Sequence, residues 1–280
     1  MSKERWLIIG QGAIGLEVTK QLVANDCAVT GLARQSREHY ALPTRADFVQ
    51  QDARTLTAEQ LAAFSHIAIV VTPDDYSESG YQDSYLAIAQ HLATLASELT
   101  ALQRMVFISS TGIYGQDNGE WIDKDTAPTT PTRAASQVIY EAEQVLQSAF
   151  APQLSIIRPS GIYGKTRLMR LRQAEKGSAA NIDAQHWSNR IMDSDLVHII
   201  VKVLTIKHPE PLYIATDYAP VMTEDLMRWL SAQLGTDMPS VTHKDTVTGK
   251  RLHSNIPLAW LVYPDWQVGY QEILSTYQSA

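Results

Sequence analysis

The sequence has few of the features expected of secreted, membrane-spanning or nucleic-acid-binding proteins. Its one cysteine, Cys27, excludes an intramolecular disulfide and is typical of a reducing compartment. The first apolar run reaches Gly10 too soon for a signal-peptide core, and no apolar stretch approaches the ~20 residues of a transmembrane helix. Acidic residues number 30 against 23 basic ones, whereas non-specific binding to nucleic acid needs a basic surface. We therefore expect a cytoplasmic protein without a membrane or nucleic-acid partner.

Short apolar runs alternate with longer helical patterns along most of the 280 residues. Seven runs rich in Val and Ile are typical of strands buried on both faces: Trp6–Ile9, Ala28–Leu32, Ala46–Val49, Ile67–Thr72, Met105–Ser109, Leu154–Arg158 and Leu212–Ala215. Helices are predicted at Tyr81–Leu102, Thr132–Ala149, Ser194–Ile206 and Thr223–Leu234, and Thr57 with Gln60 has the spacing of a capping box. This alternation predicts an α/β fold with a doubly wound parallel sheet.

A glycine-rich turn connects the first predicted strand to a further predicted helix, in which Ile14, Val18 and Leu22 recur at i, i+4 and i+8 as one buried stripe. The turn consists of Gly10, Gln11, Gly12, Ala13, Ile14 and Gly15. The first glycine permits a tight turn, the second lets the backbone approach a pyrophosphate, and the third allows close helix–sheet packing. Because the helix N-terminus would face the phosphates, these six residues are predicted to bind a dinucleotide. A plain strand–helix turn is the alternative.

The residues after the second strand bear on the choice between NAD and NADP. An NAD site usually has Asp or Glu about 20 residues past the glycines. Here Ala33 stands in that place and is followed by Arg34, Ser36 and Arg37. Since a guanidinium pairs well with a phosphate, we expect NADP to bind through Arg34 and through Ser36 or Arg37, with NAD less favoured. The alternative is a solvated loop, which is also the interpretation of the acidic pair Asp74-Asp75.

The strand–helix alternation ends near Lys165. We expect residues 1–164 with about 191–216 to form a dinucleotide-binding Rossmann domain. Residues from about 165–190 with 217–280 are expected to form a smaller substrate-binding lobe. Aromatic residues near the C terminus, such as Trp260 and Tyr263, could line a substrate site, but core packing or a homodimer contact is the favoured interpretation.

Further motifs along nearly the whole chain resemble the extended and atypical short-chain dehydrogenases/reductases of the NAD-dependent epimerase/dehydratase family. The segment Val70-Val71-Thr72-Pro73 is similar to the loop that lies beside the adenine ribose. The pair Asp52-Ala53 is similar to the pair that contacts the adenine ring. The resemblance therefore implies cofactor contacts from Asp52, Ala53, Val71, Thr72 and Pro73.

Three later segments extend this resemblance toward the reacting groups. Residues 107–115 (FISSTGIYG) resemble the motif whose hydroxyl residue, Thr111 here, binds the reacting oxygen. Residues 158–164 (RPSGIYG) resemble the turn in which Pro159 approaches the nicotinamide, and Asn189-Arg190-Ile191 with Asp195 resembles the segment returning from the substrate lobe. For a small-molecule substrate, the resemblance implies contacts from Tyr114, Tyr163, Asn189 and Arg190.

One departure from the family concerns the proton relay. The family has Tyr-x-x-x-Lys on the helix after the fifth strand, because a phenol with a pKa near 10 needs the lysine to act at neutral pH. Aligning on Glu141-Ala142-Glu143 puts Ala135 and Ile139 at these positions, and no tyrosine in the chain has a lysine four residues later. Tyr140 is the nearest alternative, although a helical turn of about 100° per residue points it elsewhere.

Two functions therefore remain open. The first is an NADP-dependent oxidoreductase or epimerase-like enzyme that acts on a small polar or nucleotide-linked substrate. In that enzyme Thr111 orients the reacting oxygen, and another residue or water carries the proton. The second is a catalytically silent regulator that senses NADP.

Two other kinds of site are not favoured by the sequence. The Gly161–Thr166 segment imitates a phosphate-binding P-loop, but Pro159 stands at the position of the required first glycine. The eight histidines lack the spacing of a metal site.

Overall fold

The computed structural model describes residues 4–242 and 246–277. The chain divides into two compact units. The first contains the residues up to Ile113 with Thr130–Arg158 and Leu196–Tyr213, and the second contains Tyr114–Thr129, Pro159–Asp195 and the chain from Ile214 onward. Residues 243–245 and 278–280 of the predicted smaller lobe lie outside the described residues. No helix in the described part of the chain is both long and apolar enough to cross a membrane.

Seven strands form the main sheet at the places where the apolar runs predict them. They are β1 Arg5–Ile9, β2 Ala28–Ala33, β3 Asp47–Gln50, β4 His66–Ile69, β5 Arg104–Ile108, β6 Leu154–Pro159 and β7 Leu212–Ala215. Their order across the sheet is β7-β6-β5-β4-β1-β2-β3, and the pairings from β3 to β6 are parallel. The predicted α/β fold is confirmed. The strand order reverses at β1, and sheets of this kind bind ligands at the carboxyl ends beside such a reversal.

Strand β4 ends earlier than the apolar run Ile67–Thr72 predicts. The Val70 amide still donates to the carbonyl of Ile9, at 2.8 Å. Beyond Ile9, β1 gives way to the turn at Gly10, whose φ is +94°. Because the partner strand turns away there, Val71 and Thr72 lie in a loop instead of the sheet.

Helices separate the strands, as the sequence periodicity predicts. Their bounds are α1 Ala13–Ala24, α2 Ala58–Leu61, α3 Glu78–Tyr81, α4 Ala87–Thr94, α5 Ala134–Phe150, α6 Met169–Glu175, α7 Asp193–Thr205, α8 Thr223–Leu234 and α9 Trp266–Leu274. The capping box of Thr57 and Gln60 is present at the start of α2. Helix α8 has its predicted bounds and ends at Gly235, whose φ of 67° is the left-handed conformation that favours glycine.

The prediction of one continuous helix over Tyr81–Leu102 is wrong. The chain forms α3, a π-helical turn at Gln82–Leu86, α4 and a final 3-10 turn at Ala96–Glu98. Within the π-helical turn, the Tyr85 hydroxyl donates to the Val71 carbonyl at 3.1 Å, and the Tyr85 ring packs edge-on against Phe107. These contacts depend on distant residues, so the local periodicity could not show the change of helix type.

A buried ion pair joins three elements of the first unit. Glu143 on α5 is fully buried, and its carboxylate accepts hydrogen bonds from Arg158 Nη2 at 2.6 Å and Arg158 Nε at 3.0 Å. Ser109, directly after β5, donates its hydroxyl to the same carboxylate. The surrounding core is apolar and includes Phe107, Ala142 and Leu146. The pair therefore ties α5 to β6 and to the end of β5.

The second unit has its own apolar core between α6, α8 and α9, with Leu171, Leu226, Leu230 and Tyr270 among its buried members. Its short strands are Trp121–Ile122, Gly161–Tyr163, Asn181–Asp183, His186–Ser188, Arg190–Met192, Val221–Met222, Ser240–Thr242, Thr248–Gly249 and Arg251–Leu252. Asp217 is only 1% exposed. Its Oδ1 accepts from the Ala219 amide at 3.2 Å, whereas Oδ2 has no hydrogen-bond partner among the described residues. Burial raises the pKa of Asp217 to about 8.

We predict that Glu143→Gln strongly destabilises the first unit. Removing one partner leaves the Arg158 charge buried without its counter-charge, which typically costs about 3–5 kcal/mol. Chemical denaturation of both proteins measures the change in the free energy of unfolding. Glu141→Gln, an exposed site on the same helix, is the control and should stay within about 0.5 kcal/mol. Equal effects from the two substitutions would show that the pair does not support the fold.

We also predict that Asp217→Asn stabilises the protein more at pH 8 than at pH 5. The unfolded aspartate loses its proton near pH 4, whereas the folded carboxyl keeps it until about pH 8. Between these values the unfolded state binds fewer protons, so the stability of the unsubstituted protein falls as the pH rises. Thermal unfolding across this pH range should show a shallower decline for Asp217→Asn. The exposed Asp237→Asn serves as the control, and identical pH profiles for all three proteins would contradict the assignment.

Candidate functional site

The glycine turn after β1 places each of its three glycines in a different environment. A Cβ on Gly10 would lie 2.3 Å from the Val70 carbonyl oxygen, and one on Gly15 would lie 2.0 Å from the Gly10 carbonyl oxygen. A Cβ on Gly12 would meet nothing within 4 Å. The first and third glycines are thus required by packing, whereas the second borders open space. This is the arrangement that a pyrophosphate-binding turn needs.

Helix α1 begins directly after this turn, at Ala13, with Gly12 at its N-cap. The first amide groups of a helix have no partner within the helix, and the helix dipole favours an anion there. The first turn of α1 contains no acidic residue. Ala13 is exposed and Ile14 is half-buried. The main chain of the turn is therefore suited to receive a phosphate group.

Gln11 has a structural role in the same turn. Its side chain is 2% exposed. Its Nε2 donates to the Ile8 carbonyl at 3.0 Å, and its Oε1 accepts from Thr19 Oγ1 at 3.0 Å. The amide also packs on Gly31, where a Cβ would approach it to 2.9 Å. The side chain of Gln11, a residue predicted to bind the cofactor, thus fixes the turn from inside, and only the Gln11 main chain is left for a ligand.

The residues predicted to hold a 2′-phosphate are already engaged within the chain. Arg34 follows β2 and forms a two-pronged ion pair with Asp74, with Nη1 at 2.6 Å from Oδ2. Arg37 donates to the carbonyls of Ala46 and Pro43 at 2.9 and 3.0 Å. The Ser36 hydroxyl interacts with Glu38 and lowers the pKa of that carboxyl. All three side chains predicted to bind the 2′-phosphate thus have a partner within the chain, and the sequence does not show that Asp74 reaches Arg34.

Five further residues predicted to contact the cofactor lie after β3 and β4 of the first unit. Asp52 caps a 3-10 turn by accepting from the Arg54 amide at 2.9 Å, and it pairs with the Arg54 guanidinium at 2.8 Å. This guanidinium holds the pKa of Asp52 below its usual value. Ala53 is buried, and in the loop after β4 the Val71 carbonyl accepts from Tyr85, while Thr72 is exposed and Pro73 half-buried.

Hydroxyl groups cluster at the turn after β5. Thr111, predicted to orient the reacting oxygen, is 9% exposed and begins the 3-10 turn Thr111–Ile113. Ser110 is more exposed, and its Oγ accepts from the Gly112 amide at 3.0 Å. A Cβ on Gly112 would lie 3.1 Å from the hydroxyls of both Ser110 and Ser136. Ser110 and Ser136 are therefore candidates that the sequence argument missed, although both stand beside residues it singled out.

The first turns of α5 lack the family's tyrosine and lysine. Ala135 is half-buried, and Ile139 is 5% exposed. Tyr140 is half-buried on the same helix. An alanine and an isoleucine side chain cannot transfer a proton. The hydroxyl of Ser136, on the same part of α5, lies 3.1 Å from the position of a Cβ on Gly112.

The predicted substrate residues lie within the second unit, where most have structural contacts. Tyr114 and Tyr163 are almost completely buried, and Tyr163 stacks on Tyr270 with ring centroids 4.7 Å apart. Asn189 donates to the Lys250 carbonyl at 2.8 Å and accepts from the Leu252 amide at 2.9 Å. Its amide therefore fixes the neighbouring strand.

Arg190 and Pro159 complete the predicted set. Arg190 is 5% exposed, donates Nη2 to Ser188 Oγ at 2.8 Å and lies over the Tyr270 ring. Among the described residues, its Nε and the Tyr163 hydroxyl have no hydrogen-bond partner. Pro159 is the last residue of β6 and directly follows Arg158 of the buried ion pair.

Comparisons with known proteins agree with this architecture. A solved structure from Methylobacillus flagellatus, provisionally assigned as an NAD-dependent epimerase/dehydratase, is 33% identical, with 98% of each chain covered and a TM-score of 0.75. UDP-glucuronic acid 4-epimerase from Bacillus cereus, solved with NAD, is 16% identical over 98% of this chain and 100% of that chain, with a TM-score of 0.75. The dTDP-glucose 4,6-dehydratase from Streptomyces venezuelae, also solved with NAD, is 16% identical over 97% and 96%, with a TM-score of 0.76.

The two 16% matches show a shared fold alone, and a search of curated proteins gave no match. The model of the NAD dependent epimerase/dehydratase family matches residues 6–204, from β1 into α7. The resemblance drawn from the sequence motifs is thereby confirmed. This chain belongs to the NAD-dependent epimerase/dehydratase family.

Proposed function

We propose that the chain binds a nicotinamide dinucleotide at the glycine turn, NAD in preference to NADP. The observation that carries this proposal is the open space at Gly12, between two glycines whose Cβ positions are blocked. It is supported by the start of α1 at Ala13 without an acidic residue in its first turn. When bound, the nicotinamide supplies hydride transfer. Gly12 and the first amides of α1 would hold the pyrophosphate.

The preference for NAD is a revision of the expectation from the sequence. NADP binding relied on Arg34, Ser36 and Arg37, and each of these side chains has an internal partner. The two solved structures of lower identity were obtained with NAD. Asp74 also places a carboxylate directly on the Arg34 guanidinium, which opposes the approach of a phosphate to that side chain.

For the chemistry, we propose an epimerase-like or oxidoreductase reaction on a small polar or nucleotide-linked substrate. The proteins of similar fold named above act on nucleotide-linked sugars, which supports this substrate class. Ser110 and Thr111 would orient the reacting oxygen by hydrogen bonding. A hydroxyl is a weak acid near pH 7, so the proton transfer would pass to water or to the substrate itself.

A second candidate is a regulator that binds the cofactor without turnover. The observation that favours it is the pair Ala135 and Ile139 in place of the tyrosine and lysine, the second of them buried. Cofactor binding does not need either side chain. The two candidates therefore share the dinucleotide site and differ in turnover alone.

We predict that Gly12→Ala weakens NAD binding at least about tenfold without loss of stability. The added methyl group meets no protein atom within 4 Å, but it occupies the space where the backbone must approach a pyrophosphate. Calorimetric titration with NAD measures the affinity, and thermal unfolding without ligand is the control for folding. Unchanged NAD affinity in a stable Gly12→Ala variant would contradict a dinucleotide site at this turn.

We further predict that NADH oxidation against simple ketones and free sugars is weak. A general acid–base group typically contributes about 100- to 10,000-fold, and the usual pair is missing. Turnover with nucleotide-linked sugars should fall more in Ser110→Ala than in Thr111→Ala, because Ser110 is the more exposed hydroxyl.

Tyr140→Phe is the comparison for this assay and should have little effect. Rapid turnover that Tyr140→Phe abolishes would show that a relocated tyrosine carries the proton. Binding of NAD without turnover of any tested substrate would favour the regulator.

A further inference from the structure

The ion pair between Arg34 and Asp74 lies at a point of the sheet that matters for cofactor choice. Arg34 is the first residue after β2, and Asp74 lies in the loop after β4. Strands β2 and β4 are the two neighbours of β1. The pair therefore connects the loops on either side of the strand that leads into the glycine turn. In folds of this type, the residues after β2 contact the 2′ position of the adenine ribose.

Asp74 occupies both terminal nitrogens of the Arg34 guanidinium. Nη1 donates to Oδ2 at 2.6 Å, and Nη2 donates to Oδ1. A 2′-phosphate would be recognised by the same fork of donors. The Asp74 carboxylate is charged at neutral pH, as an aspartate ordinarily is, and the guanidinium holds its pKa below the usual range. A phosphate approaching Arg34 would therefore have to displace the Asp74 carboxylate from the guanidinium against the repulsion between the two negative charges.

The other arginines near Arg34 are also engaged within the chain, so they do not offer a phosphate the donors that Arg34 has lost to Asp74. Arg54 pairs with Asp52 at 2.8 Å and with Asp83 at 3.1 Å. Arg37 donates to two backbone carbonyls. Glu38 adds a further carboxylate to the turn that follows Arg34. Arg34 and Arg54 are thus ion-paired, and the charge of Arg37 is offset by Glu38, whose pKa it helps to lower.

We propose that Asp74 is a specificity-determining residue that makes the site select NAD over NADP by occupying Arg34 and repelling a 2′-phosphate. The neutral 2′-hydroxyl of NAD carries no such charge and can donate a hydrogen bond to a carboxylate. This inference rests on the proposed dinucleotide site. The sequence assigned the choice between NAD and NADP to the loop after β2, and Asp74 adds a residue from the loop after β4.

The pair is suited to a substitution test because it is exposed. The side chains of Arg34 and Asp74 are 55% and 68% exposed. Exposed ion pairs contribute little to stability, so its removal should leave the fold intact. Asp75, the next residue, offers a matched control: its Oδ1 accepts from the Ser77 amide at 2.8 Å and also binds the Ser77 hydroxyl.

The experiment compares NAD and NADP affinities by calorimetric titration in four proteins: unsubstituted, Asp74→Asn, Asp75→Asn and the double variant Asp74→Asn with Arg34→Ala. We expect Asp74→Asn to raise NADP affinity about tenfold relative to NAD, because the freed guanidinium can bind the phosphate. Asp75→Asn removes the same charge one residue away and should change the ratio less than about threefold. The double variant should not show this increase in NADP affinity, because it lacks the Arg34 guanidinium.

The outcomes separate this inference from the proposed function. Failure of the unsubstituted protein to bind either dinucleotide would overturn both. Binding of NAD with an unchanged NAD-to-NADP ratio in Asp74→Asn would overturn the role of Asp74 and leave the dinucleotide site in place. Tighter binding of NADP than of NAD by the unsubstituted protein would also overturn it. An equal gain in Asp75→Asn would assign the effect to overall charge and reject a specific role for Asp74.

Discussion

The arrangement of the first unit depends on the buried pair of Glu143 and Arg158. Helix α5 and strand β6 are held together by two nitrogen–oxygen contacts, at 2.6 and 3.0 Å, in an otherwise apolar core. The same carboxylate accepts from Ser109, so the end of β5 is fixed against α5 as well. Ser110, Thr111 and Gly112 follow immediately. The hydroxyl cluster therefore follows directly on a residue bonded to this ion pair, and removing one member of the pair would leave a buried charge.

The sequence predicts those parts of the fold whose causes are local. All seven apolar runs form strands of the main sheet; six are largely buried, as expected of strands covered on both faces, whereas the edge strand β3 is half-exposed. The Thr57 capping box and the Gly235 terminus also have local causes and appear as predicted. The π-helical turn at Gln82–Leu86 has no such local cause, since the Tyr85 hydroxyl bonds to Val71, fourteen residues earlier in the chain. Contacts of this kind leave no periodic signal in the sequence.

The candidate site likewise contains features that the sequence predicts and features that depend on distant residues. Its glycine turn could be identified because steric exclusion at Gly10 and Gly15 acts between residues close in sequence or on adjacent strands. The occupation of Arg34 could not, because Asp74 lies forty residues away on a loop that sequence reasoning treats as solvated. The same holds for Gln11, whose position in a glycine motif suggests a ligand contact although its partners are Ile8 and Thr19. The sequence thus identifies the motif residues, while their partners within the chain require the folded structure.

The two arginine–carboxylate pairs have the same chemistry but different roles, because one is buried and the other is exposed. Arg158 and Glu143 lie where water is excluded, so each charge depends on the other and the pair acts on the fold. Arg34 and Asp74 are solvated, so either member can change partners at small cost to stability. An exchangeable pair beside a phosphate-accepting turn is suited to discriminate between ligands that differ by one charged group. A buried pair is not, because its opening would disturb β5, β6 and α5 together.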